Sequence, residues 1–131
     1  MGWQYPFDQV PWAEIDERFS QFATEYPQFA HMAAIVKSVR AAGREDDLAG
    51  LTSMHDLIVV PQPIQEPPFD VVAVRSPSAL TPPAAGKVRI EHLAVTGRND
   101  RIERPVDESV SLFWRFMIEK FGVHSRLNEP H

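Results

Sequence analysis

Two adjacent acid–imidazole pairs, His55-Asp56 and Glu91-His92, are the residues of this sequence best suited to chemistry. Histidine titrates near neutrality, and a carboxylate beside it can orient the ring or share a proton. Brought together, the four side chains would make an acid–base cluster or an N/O metal site. Their spacing alone assembles neither. The five histidines (His31, His55, His92, His124, His131) form no HxH or HxxxH pair. The chain has no cysteine, which excludes thiol catalysis, disulfides and cysteine metal clusters. Ser53, Ser76, Ser78, Ser109 and Ser111 lie in no GxSxG. Neither GxxxxGK[ST] nor GxGxxG occurs. The expectation is no metal and no cofactor.

A second cluster is Gly97-Arg98-Asn99-Asp100-Arg101, with Arg104 close behind. Guanidiniums hold carboxylates or phosphates in a bidentate fork, so this segment suits an anion or an acidic protein surface. It belongs to a wider asymmetry. Residues 1–56 carry nine acids and four bases, a balance of −5, with Asp46 and Asp47 adjacent in the middle. Residues 75–104 carry six bases and three acids, a balance of +3. Such a dipole can steer a charged partner. A third feature is Leu112-Phe113-Trp114-Arg115-Phe116-Met117-Ile118, rich in residue types that interfaces favour.

These groups must be positioned by recognisable elements. Trp12, Ile15, Phe19 and Phe22 recur at helical spacing behind Pro11, predicting a helix over about 11–24. Tyr26-Pro27 breaks it, and a second helix is expected over about 27–42, stopped by Gly43. Residues 44–53 read as a polar connector with a helical turn. Two β-branched runs follow, 56–60 and 69–74, whose continuous apolarity fits strands covered on both faces. Proline-rich loops lie between and after them, at 61–68 and 76–86.

In the strand over 87–96 the apolar pattern changes face near His92, which predicts a bulge or a move between environments. Gly97 to Asp100 is a turn, and 101–104 the return strand. A last helix runs from about Pro105 to Gly122, with Asp107 and Glu108 at the positive end of its dipole. Residues 125–131 read as a loose tail. The order α-α-β-β-β-β-α is segregated, which predicts a single α+β domain over 1–131. Its sheet should be four-stranded and mainly antiparallel, with helices on one face.

The 131 residues are enough to bury one core. There is no run of 18 apolar residues, so no membrane span is expected. The N-terminus lacks the basic and apolar regions of a secretory signal, and the reading is cytoplasmic. Nucleic acid is disfavoured, because the chain is acidic and residues 75–104 contain no aromatic residue for stacking. In size, acidity and lack of cysteine the chain resembles small bacterial immunity or inhibitor proteins that neutralise a toxin. That resemblance implies a non-enzymatic module docking on another protein. The expected contacts are Asp46, Asp47, Arg98, Asn99, Asp100, Arg101, Arg104 and Trp114, and the 112–118 face offers a homodimer contact. The alternative is a small enzyme using His55, Asp56, Glu91 and His92 with an Arg-rich anion-binding tip.

Overall fold

Apolar residues at helical spacing bury one face of each N-terminal helix. In the computed structural model, which describes residues 2–125, α1 spans Trp12–Glu25 and α2 spans Ala30–Ala41. A single 3-10 turn, Pro27–Phe29, separates them. The second helix runs back along the first, so Asp16 meets Lys37 and Arg40, each at 2.8 Å. Gly43 stops α2 in the left-handed region that a residue with Cβ avoids.

Five strands follow, not four: β1 Leu48–Ser53, β2 Asp56–Pro61, β3 Val71–Arg75, β4 Lys87–Leu93 and β5 Asp100–Pro105. They pair in sequence order as one antiparallel meander. The additional strand, β1, occupies the stretch expected to be a connector. Its alternation is hidden because both faces are covered and Gly50 has no side chain. Leu48 and Gly50 face the helices, while Ala49 and Leu51 face the other way.

The last helix, α3, spans Ser109–Phe116 after a 3-10 turn, Val106–Glu108, and continues as a π-turn over Met117–Phe121. Gly122 closes it in the left-handed conformation. The larger apolar core lies between the three helices and one sheet face, around Ile15, Phe19, Met32, Ile35, Val59, Val74, Ile90 and Phe113. Most of the apolar surplus on α3 is absorbed there: Leu112, Phe113, Phe116 and Met117 are buried, leaving Trp114 half-buried and Ile118 exposed.

On the other sheet face, Trp3, Phe7 and Val10 of the N-terminal segment cover Leu51, Ile58, Val60, Val71 and Ala73. That cover stops partway, and beyond it the same face is polar. The pattern at His92 follows. Register runs unbroken from Val71–Leu93 to Arg75–Arg89, so there is no bulge. Instead β4 leaves the polar half of this face, and Leu93 joins the covered half. The expected tail, beyond Ser125, lies outside the described residues, as does His131.

Candidate functional site

The uncovered half of the sheet face is organised by Arg75. This residue ends β3, and Asp56 begins the adjacent β2. Arg75 Nη1 donates to Asp56 Oδ2 at 3.1 Å, and Nε donates to Glu91 Oε2 on β4 at 2.6 Å. The second Asp56 oxygen accepts the Ser76 backbone N–H at 2.8 Å. Asp56 is only 5% exposed, so its charge is tolerable because it is paired and hydrogen-bonded. Burial works against the guanidinium's charge, but the hydrogen bonds and attraction of Glu91 and Asp56 outweigh it and raise its pKa.

Two further guanidiniums complete the cluster. Arg89 donates to the Thr81 carbonyl at 2.7 Å and pairs with Glu103 at 3.3 Å, which ties the 76–86 loop to the sheet. Arg101 lies opposite Glu91 in the β4–β5 register and is exposed, and its side chain has no ion-pair or hydrogen-bond partner among the described residues. Arg75, Arg89 and Arg101 with Asp56 and Glu91 line one depression of about 370 Å³. Arg75 is shared by Asp56 and Glu91 and Arg89 is paired with Glu103, so Arg101 is the one guanidinium of the depression left without an acid among the described residues.

Met54 and Leu80 stand on its rim, 64% and 87% exposed. Met54 and His55 form the two-residue turn of the β1–β2 hairpin, with φ of 51° and 70°. Such turns favour Asn-Gly, because both residues need positive φ. His55 is anchored there by its ring, whose centroid is 4.6 Å from that of Phe22 and 6.2 Å from that of Phe29. Its Nδ1 lies 3.1 Å from Ser78 Oγ.

The four residues of the acid–base alternative therefore divide. Asp56 and Glu91 share Arg75. His55 packs on aromatic rings at the hairpin turn. His92 points to the helix-covered face, where its Nε2 lies 3.2 Å from Asp70 Oδ2 and its ring meets Phe121. Among the described residues no three histidine or acidic side chains gather as a metal ion would require.

The residues expected to contact a partner are also dispersed. Asp46 is exposed in the turn before β1, and Asp47 pairs with Arg44 at 2.9 Å. Arg98 is exposed at the β4–β5 tip. Asn99 closes that turn, its Oδ1 accepting the Ala94 N–H at 2.8 Å. Asp100 pairs with Lys120, whose hydrogen bond and charge hold its carboxyl below the ordinary range. Arg104, like Arg101, is exposed, and its side chain has no partner among the described residues. Trp114 lies on the helical side, and its Nε1 donates to Ser38 Oγ at 3.0 Å.

Reading the sequence missed Arg75 as organiser and Met54 and Leu80 as rim. The available signal was a charge ending an otherwise apolar strand, VVAVR, whose partner only pairing reveals. Among the described residues no helix is long and apolar enough to cross a membrane. The chain matches no family model, no curated protein and no solved structure.

Proposed function

We propose that this protein is a non-enzymatic module that docks on another protein through the open half of its sheet. One observation carries the reading. Met54 and Leu80, among the most exposed large apolar side chains of the described residues, flank a depression in which the Arg101 side chain has no acid partner among those residues. Exposed apolar groups beside fixed charges suit an interface: the apolar pair supplies burial, and Arg101 selects an acidic group on the partner. The Asp56–Arg75–Glu91 network holds the floor rigid, which lowers the ordering cost of binding.

This moves the contact from Asp46 and Asp47 to the sheet. It also favours docking over acid–base chemistry, since neither histidine faces the depression and Arg75 occupies both carboxylates. The test compares wild type with Leu80→Asp and Arg101→Glu. Each immobilised protein is exposed to extract of its native cell, and any captured protein is then titrated in purified form. The expected result is a protein retained by wild type and bound at least about tenfold more weakly by both variants, with unchanged melting. Equal binding by all three would sink the proposed surface, and turnover of a small molecule abolished by Glu91→Gln would favour the enzyme.

A further inference from the structure

β5 is the last strand of the sheet, and its outer edge is unpaired among the described residues. Asp100, Arg101, Glu103 and Arg104 on it are all exposed. An edge strand presents a row of free N–H and C=O groups, and charges on it normally discourage pairing. Here the order of the charges matters. Asp100-Arg101-Ile102-Glu103-Arg104 reads −, +, apolar, −, +. Read backwards, it is the charge complement of itself.

We propose that a second copy of this chain pairs on β5, antiparallel and centred on Ile102, to give one continuous sheet across two protomers. In that register Ile102 faces its own counterpart, Arg101 faces the partner's Glu103, and Asp100 faces the partner's Arg104. Directly opposite residues of an antiparallel pair lie on the same side, close enough for their side chains to interact. Side-chain alternation keeps the pairs separate. Arg101 and Glu103 lie on the open face, while Ile102 packs toward the helical core with Asp100 and Arg104 on its side. Neighbouring registers fail. A centre between Ile102 and Glu103 sets Arg101 against Arg104, and one between Arg101 and Ile102 sets Asp100 against Glu103.

Pairing would also give the two unpartnered arginines their acids. Glu103 would sit between its own Arg89 and the partner's Arg101, and Asp100 between its own Lys120 and the partner's Arg104. The charge rows of the two open faces would then alternate across the two-fold axis. A two-fold arrangement closes on itself and leaves β1, the other edge, outside the contact.

Arg101 would serve this contact and the docking surface alike, so oligomeric state is tested at Asp100 and Arg104, which lie on the helical side away from the depression. Sedimentation of the full chain is measured over a wide concentration range, with Arg104→Glu and Asp100→Lys alongside. The Arg104 side chain has no partner to lose among the described residues, so that variant should fold. We expect a wild-type dimer, weakened roughly tenfold or more in each variant because two like-charge pairs appear. Mixing the two variants should restore association, since each then supplies what the other lacks. As a second readout, Ile102→Cys should form an oxidised dimer, the chain having no other cysteine. A monomer at every concentration would overturn the proposal. So would a dimer indifferent to both charge reversals, which would place the contact elsewhere, as on the α3 face around Trp114.

Discussion

Arg75 Nε donates to Glu91 Oε2 at 2.6 Å across the β3–β4 pair, on the sheet face opposite the three helices. The same guanidinium also neutralises the buried Asp56. Arg75→Met should therefore strand one carboxylate at 5% exposure. The loss expected is about 2 kcal/mol, below the roughly 3–5 kcal/mol of a fully buried pair because Arg75 is partly solvated. Urea unfolding would measure it. A loss indistinguishable from zero would mean that water replaces the guanidinium without penalty. Adding Glu91→Gln to Arg75→Met should cost less than the sum of the two single changes.

The β1–β2 turn stores strain in two residues at positive φ, Met54 and His55. Met54→Asn should stabilise by about 0.5–1 kcal/mol, because asparagine tolerates this conformation and Met54 is exposed. His55→Gly should not, since relief of strain is offset by losing the ring contacts with Phe22 and Phe29. In thermal melts Met54→Asn should unfold at a higher temperature than wild type, and His55→Gly should show no such gain.

His31 is buried on α2, and desolvation lowers its pKa against a smaller opposing effect of its hydrogen bond to the Gln28 backbone. Its Nε2 has no hydrogen-bond partner among the described residues. The unfolded chain thus takes up a proton at a higher pH than the folded one. The stability this residue contributes is complete above the unfolded value of about 6.5 and falls as pH drops below it toward the folded value. His31→Leu should flatten that part of the profile. Unfolding at roughly pH 7.5 and roughly pH 5 gives the slope, and equal slopes in wild type and variant would refute the assignment.

Gly50 has space for nothing larger. A Cβ there would lie 2.9 Å from Trp12 Cη2 and 3.1 Å from Ile15 Cδ1. Trp12 cannot easily yield, because its Nε1 donates to the Leu48 carbonyl at 2.8 Å. Gly50→Ala should destabilise by about 1–3 kcal/mol through overpacking. Replacing Trp12 by Leu in the same chain should recover part of the loss.

The helices were legible because Trp12, Ile15, Phe19 and Phe22 repeat at one period on one face, and Pro27, Gly43 and Gly122 punctuate the backbone whatever packs around them. The strands 56–61 and 71–75 were legible because β-branched runs covered on both faces suit little else. Local residue order also displayed the charge palindrome about Ile102, although only the position of β5 at the sheet edge gives it a partner to face. β1 was hidden, since Gly50 shows no side chain and its neighbours are buried on both sides. The site depended on tertiary structure for a related reason. Asp56, Arg75 and Glu91 are remote in sequence, and strand register alone makes them neighbours. Side-chain alternation turns His92 away from Glu91, although the two are adjacent in the chain. Local periodicity therefore determined the elements. Pairing, and the point at which the N-terminal cover stops, decided which polar residues meet and which face stays open.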